Sequence, residues 1–294
     1  MHPRHWPTWV VFGIAYLIVL LPYRVQIKIG AGLGKLGYIF AKQRRHIAKV
    51  NLALCFPRLD VPQQGELLKC TFRSTGIGLI ETINSWLGNP IKMRDRFEIN
   101  GLQHFTDALE SNKGVLLLGM HSSTLDLCGA VLSGYAGFDV MYRRNKNELI
   151  EAIMTKSREK NFPSAIQRDD LRAVLKSLKQ GHAVWYGPDQ DYGKKHSVFA
   201  PFFDIETASI TATARIARIS GAKVISFTHY RSKDDSKYII NLTPPLEDYP
   251  SDNEVKDATR INSLIEAAIL KAPDQYWWIH RRFKTRPEGE ERPY

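Results

Sequence analysis

The chain has 294 residues, 44% hydrophobic and 24% charged, the ordinary balance of a globular protein able to bury a full core. That balance excludes a disordered chain, a collagen and a polytopic membrane protein. Lysine and arginine outnumber aspartate and glutamate 41 to 30, a net charge of +11, which implies an anionic partner: nucleic acid, an anionic membrane, a phosphorylated substrate or an acidic protein.

The first element is apolar. The run from Trp9 to Leu21 carries no charge, Pro7 and Pro22 bracket it, and Trp6, Trp9 and Tyr23 sit near its ends. With its flanks it approaches ~18 residues, the low end of a spanning helix; a shorter run can lie in one leaflet. A cleavable signal peptide and a buried soluble helix are the rival readings, and no small-x-small cleavage site follows closely. The expectation is a retained N-terminal membrane helix, with residues 1–30 as anchor. Arg4 precedes the segment while Arg24, Lys28 and Lys35 follow it, so the body, residues 31–294, is expected on the cytoplasmic side.

Gly30, Gly32, Gly34 and Gly37 mark a Gly-rich apolar stretch, but no strand precedes it and it is not read as a dinucleotide site. The basic stretch Ala41-Lys-Gln-Arg-Arg-His-Ile-Ala-Lys49 is helical, either a solvated face or a contact for anionic headgroups. Pro57, Pro62 and Gly65 form a loop, and 66–86 reads as a helix ended by Gly88, Asn89 and Pro90. A short strand and turn fit 97–101.

A βα rhythm follows. Strands are predicted at Val115–Leu118, 140–142, Ala183–Tyr186, 223–229 and 237–242. Helices are predicted at 125–132, 148–160, Leu171–Lys179, 208–220 and 261–271. Alternation of this kind argues for an α/β fold, a mostly parallel central sheet flanked by helices. Cys55, Cys70 and Cys128 are odd in number and widely spaced, so neither a disulfide scaffold nor a zinc site is expected.

In open α/β sheets ligands bind beyond the C-terminal ends of the strands. Three polar clusters fall there: Gly119-Met-His121-Ser-Ser-Thr-Leu-Asp126, Tyr142-Arg143-Arg144-Asn145, and Gly187-Pro188-Asp189-Gln190-Asp191-Tyr192. If a helix starts near Ser122 to Thr124, Asp126 lies one turn inside it and can reach back to His121. A carboxylate on one ring nitrogen fixes the tautomer and frees the other nitrogen to take a proton. The plainer reading of the pair is an N-terminal cap and a solvated helix-start aspartate. Ser122 and Ser123 invite a Ser/His hydrolase, but GxSxG is absent. Arg143 and Arg144 suit phosphate or sugar-acid groups, or are a surface basic pair. Asp189 and Asp191 suggest a metal or, with no companion ligands at fixed spacing, an Asx-capped turn. His182, His196 and His229 receive no role. Tyr276-Trp277-Trp278-Ile279-His280-Arg281-Arg282-Phe283-Lys284-Thr285-Arg286-Pro287 interleaves aromatics with cations, as a nucleic-acid or membrane-facing surface does.

Over nearly its whole length the chain resembles the Kdo-dependent late acyltransferases of lipid A biosynthesis, the lauroyl/myristoyl type of Gram-negative bacteria. The resemblance rests on the His2-Pro-Arg-His-Trp6 opening, Asn51-Leu-Ala-Leu-Cys-Phe-Pro57, the His121/Asp126 pair, Val184-Trp-Tyr-Gly-Pro-Asp-Gln-Asp-Tyr-Gly193 and the block from His280 to Pro287. It implies a glycerolipid-acyltransferase-like fold and an inner-membrane enzyme facing the cytoplasm. Such an enzyme moves a fatty acyl chain, lauroyl or myristoyl, from acyl carrier protein to a hydroxyl of an acyl chain on a Kdo-lipid A precursor.

By resemblance His121 is the catalytic base, Asp126 its acidic partner, Arg143 the arginine of a Tyr-Arg block and Asp189 the aspartate of a Pro-Asp block. Arg143, Arg144, Asp189 and Asp191 are then substrate-binding candidates. Direct transfer needs no metal and no dissociable cofactor, and the partners are acyl carrier protein, the lipid acceptor and membrane lipids, not nucleic acid. The lauroyl branch commonly carries Glu where Asp126 stands, so the resemblance does not fix branch, chain length or acceptor position. A glycerolipid acyltransferase, a relative with another acyl or aminoacyl donor, and a non-enzymatic basic membrane-tethered binding protein are the alternatives.

Overall fold

The computed structural model describes residues 6–294. Arg4 and most of the His2–Trp6 opening lie outside the described residues.

The chain begins with four helices: α1 (Trp6–Val19), α2 (Tyr23–Phe40), α3 (Lys42–Cys55) and α4 (Val61–Leu87). At 1.5 Å per residue the 14 residues of α1 extend about 21 Å, short of the ~30 Å hydrocarbon core. No helix among the described residues is long and apolar enough to cross a membrane, so the expected spanning segment is corrected. The apolar run breaks at Leu20 and Leu21, and the chain re-enters helix after Pro22. Of α1 only Ala15 is buried; Trp6, Val10, Val11 and Leu17 are all more than half exposed.

The Gly-rich stretch is helical, and α2 runs unbroken across residues 30 and 31. Its glycines let two backbones touch: a Cβ added to Gly76 of α4 would lie 2.3 Å from Gly34 N. Helix α3 turns Ile47, Ala48, Asn51 and Leu52 inward and leaves Lys42, Arg44 and Lys49 exposed. Helix α4 starts earlier than the predicted 66. Asp60 accepts from the Gln63 backbone N–H while Gln63 accepts from the Asp60 N–H, a reciprocal cap.

The α/β body follows in order: β1 (Phe97–Asn100), α5 (Leu102–Glu110), β2 (Val115–Leu118), α6 (Leu125–Ser133), β3 (Asp139–Tyr142), α7 (Glu148–Asn161), β4 (Ala165–Gln167), α8 (Leu171–Lys179) and β5 (Ala183–Tyr186). Then come β6 (Ser197–Phe202), β7 (Ile205–Ile210), α9 (Ala212–Ser220), β8 (Lys223–Arg231), β9 (Tyr238–Leu242) and α10 (Glu254–Ile269). Seven strands form one sheet in the order β1-β9-β8-β2-β5-β3-β4. Every pairing in it is parallel except β8 with β9, so the α/β expectation holds.

Strand β2 is central, and all four of its residues are buried. Alternation sends Leu117 and Trp185 to one face, with Phe105, Leu127 and Phe138, and Leu116, Leu118 and Tyr186 to the other, with Val174 and Ile216. The β6–β7 hairpin is a separate antiparallel ribbon turning through Phe203 and Asp204, both at positive φ. It takes residues 208–210, which the sequence reading gave to a helix; α9 begins at Ala212.

The C-terminal block is only partly an exposed aromatic and basic surface. Trp278, Phe283 and Tyr276 are buried in the core, and Arg282 donates to Ala208 O at 2.8 Å while stacking on Phe202. Asn51 Nδ2 donates to the carbonyls of Trp278 and His280 and fastens the block to α3. Within the block Tyr276, Trp278, Arg282 and Phe283 pack as core, while Trp277, Arg281 and Lys284 stay exposed.

Candidate active site

Strands β2 and β5 pair with Leu118 opposite Tyr186. His121 stands three residues past the first and Asp189 three past the second, so the two meet above the sheet. His121 Nδ1 lies 2.7 Å from Asp189 Oδ1, and the His121 backbone N–H donates to Asp189 Oδ2 at 2.9 Å. Asp189 is 1% exposed. Burial alone would raise its pKa; the His121 charge and these two bonds overcome that and hold it well below the carboxylate range. Burial likewise pulls His121 down, but the Asp189 charge and hydrogen bond, with a smaller push from Asp126, raise it above the ordinary imidazole value. With Nδ1–H donating to Asp189, Nε2 is the basic nitrogen.

Asp126 therefore does not orient His121 through a hydrogen bond, as the sequence reading expected. It lies in the first turn of α6, and its Oδ2 accepts from Thr82 Oγ1 of α4 at 2.9 Å. Solvent reaches it through the adjoining cavity, yet protein surrounds it, and this enclosure raises its pKa against the Thr82 bond and the Arg158 charge. The geometric reason is register: the β5 loop presents Asp189 at the His121 level before α6 can turn Asp126 back.

A cavity of about 340 Å³ opens beside His121. Asp126, Arg143 and Arg158 reach it, and Gly129, Phe138, Phe162, Trp185, Phe227 and Trp277 make its walls largely apolar. A cleft with apolar walls and a few convergent polar groups at one end is the usual form of a small-molecule site. Arg158 escaped the sequence reading. It stacks over Tyr142 at 4.2 Å, and its Nη1 is buried without a partner among the described residues. Helical spacing could have revealed it, since Met154, Ser157 and Arg158 share the α7 face that turns to the cavity.

The remaining candidates divide. Arg143 lines the cavity; Arg144 is exposed and does not. Asp191 does not line it either. Its carboxylate accepts from Thr285 N at 2.8 Å, Thr285 Oγ1 at 2.9 Å and Gly193 N at 2.8 Å, and so ties the C-terminal segment to the β5 loop.

Ser122 is buried and turns away from His121, toward Thr124 and His229. His229 Nδ1 lies 2.8 Å from Thr124 Oγ1, and burial pushes its pKa down to about 3. That removes the Ser/His hydrolase arrangement. The backbone N–H of Ser123 donates to Gln275 O at 2.8 Å and that of Leu125 to Ser122 O, so neither is free to face an oxyanion. Among the described residues no group of His, Cys, Asp and Glu is arranged to hold a metal ion.

The signature of the family described as bacterial lipid A biosynthesis acyltransferase matches residues 1–285. The chain is 40% identical to the lipid A biosynthesis palmitoleoyltransferase of Escherichia coli (strain K12), across all of this chain and 96% of that protein. It is also 40% identical to the lipid A biosynthesis lauroyltransferase of the same organism, across 98% of this chain and 95% of that one. Identity to the lipid A biosynthesis myristoyltransferase of that strain is 26%, across all of this chain and 91% of that one. The chain belongs to this family of acyltransferases.

Proposed function

We propose that this member of the bacterial lipid A biosynthesis acyltransferase family transfers a fatty acyl chain from acyl carrier protein to a hydroxyl of an acyl chain on a Kdo-lipid A precursor. The observation that carries the reading is His121, tied through Nδ1 to a buried carboxylate, at the end of an apolar cavity. The acyl class follows the lauroyl- and palmitoleoyl-transferring relatives at 40% identity rather than the myristoyl-transferring one at 26%.

In the proposed reaction His121 Nε2 takes the proton of the acceptor hydroxyl as its oxygen attacks the thioester carbonyl carbon. The tetrahedral intermediate collapses, the C–S bond breaks, and the proton passes from Nε2 to the leaving thiolate. The products are the new ester and the free carrier thiol. Asp189 fixes the tautomer and stabilises the imidazolium; Asp126 adds negative charge to the same end of the cavity. General-base assistance of this kind typically supplies 10²–10⁴-fold. Arg158 and Arg143, which line the same cavity, are the cations proposed to meet the developing oxyanion.

The same reading puts the enzyme on the cytoplasmic face of the inner membrane. Helix α1 exposes tryptophan, valine and leucine side chains with no charge among them, and Arg24, Lys28 and Lys35 follow it. An apolar helix of this length beside cations suits an interfacial seat.

The test is an in vitro transfer assay with acyl carrier protein thioesters of several lengths and Kdo-lipid A precursor, read by mass spectrometry. One added acyl mass, lost in His121→Ala, is expected. No added mass with any thioester, from folded protein, would overturn the reading.

A further inference from the structure

A second cavity, of about 440 Å³, lies across β5 from the first. Alternation along β5 separates them: Trp185 walls the catalytic cavity and Tyr186 the second, while Met141 of β3 borders both. The floor is aliphatic, built by Leu175 of α8 and by Ile216 and Ile219 of α9. Ile219 is 50% exposed, so the apolar lining runs out to the mouth.

The rim carries two arginines. Arg168 and Arg215 border the opening, against one carboxylate, Asp169, which pairs with Arg168 at 3.4 Å with both groups solvated. Arg215 is exposed and has no ion-pair partner among the described residues. An aliphatic trough ending in unpaired guanidinium is complementary to a hydrocarbon chain that carries a phosphate near one end.

We infer that this cavity is a second lipid subsite, which takes a further acyl chain of the phosphorylated acceptor with its phosphate at Arg215 and Arg168. The inference rests on the proposed acyl transfer. There the cavity beside His121 accommodates the chain being transferred, and a lipid acceptor brings other chains that need cover. The cavity borders the first at Met141, and so is within reach of the same acceptor molecule. The arm of an acyl carrier protein has the same chemistry, a phosphate on a long chain, and the experiment separates the two sources.

The variants are Arg215→Glu and Ile219→Trp, both at exposed positions, checked against the wild type for equal melting temperature. The probe is lauroyl lysophosphatidic acid below its micellar concentration, titrated calorimetrically into full-length protein. The number of bound probe molecules falls by one in either variant. In steady-state transfer the KM for the lipid acceptor rises at least about tenfold, while kcat and the KM for the carrier thioester stay within about twofold. Unchanged probe binding and unchanged acceptor KM would overturn the subsite. A rise in the thioester KM in place of the acceptor KM would overturn its assignment to the acceptor. Wild-type protein that binds the probe through Arg215 yet transfers no acyl group would sink the proposed reaction and leave the subsite standing.

Discussion

His121 Nδ1 and Asp189 Oδ1 lie 2.7 Å apart because each residue stands three positions beyond a residue of a matched pair, Leu118 and Tyr186, on adjacent parallel strands. Two adjacent parallel strands therefore set the geometry of the base.

The pair has a pH signature. His121 is held above the ordinary imidazole value of about 6.5, and only its neutral form accepts a proton. The transfer rate should fall as pH drops through that raised value. Removing the Asp189 charge removes the main cause of the rise, so the acid limb of kcat/KM moves to lower pH in Asp189→Asn. A pH–rate profile of the two proteins checks this; an acid limb at the same pH in both would contradict it.

Chain length should respond to Gly129. A Cβ there would stand 3.7 Å from Phe162 inside the catalytic cavity, an ordinary contact, and larger side chains fill the space beyond. Gly129→Leu is expected to shift preference toward shorter thioesters. Each methylene denied burial costs about 0.8 kcal/mol, roughly fourfold in relative kcat/KM. Competition between thioesters of different length in one reaction measures it.

Arg231 and Glu81 form a buried ion pair at 2.5 Å, 1% and 2% exposed, linking β8 to α4. Removing one partner leaves an uncompensated charge in the core, which typically costs about 3–5 kcal/mol. Arg231→Met should therefore lower stability to denaturant by about that much, with an unchanged slope. A loss below about 1 kcal/mol would show that the pair is dispensable.

The interfacial seat of α1 predicts that charge on its exposed face releases the protein. Trp9→Lys with Leu17→Asp should reduce co-sedimentation with anionic vesicles, while a neutral Leu17→Ile change leaves it intact. Equal sedimentation of all three would place membrane contact elsewhere.

Much of the body was legible because its strands are short apolar runs bounded by glycine and polar residues. Val115–Leu118, Leu171–Lys179 and Ala183–Tyr186 match the structure at both ends. The β6–β7 hairpin was hidden because Ala208 to Ile210 continues smoothly into the helical pattern of α9. Position along the chain located His121 and Asp189 separately, each just past a strand. Their partnership was not legible, because it depends on which strands are neighbours, and local spacing favoured Asp126, five residues from His121. The C-terminal block was half legible for a related reason: interleaved aromatics and arginines look alike in sequence, and only the tertiary contacts of Asn51 and Asp191 show that Trp278, Arg282 and Phe283 turn inward while Trp277 and Arg281 stay exposed.

The most direct measurement compares Asp189→Asn with Asp126→Asn in the transfer assay, at saturating donor and acceptor. If Asp189 holds the catalytic base, Asp189→Asn lowers kcat by about 10²–10⁴-fold with little change in either KM, as loss of general-base assistance does. A kcat within about twofold of wild type in Asp189→Asn, beside an inactive and folded Asp126→Asn, would contradict the assignment and return the orienting role to Asp126.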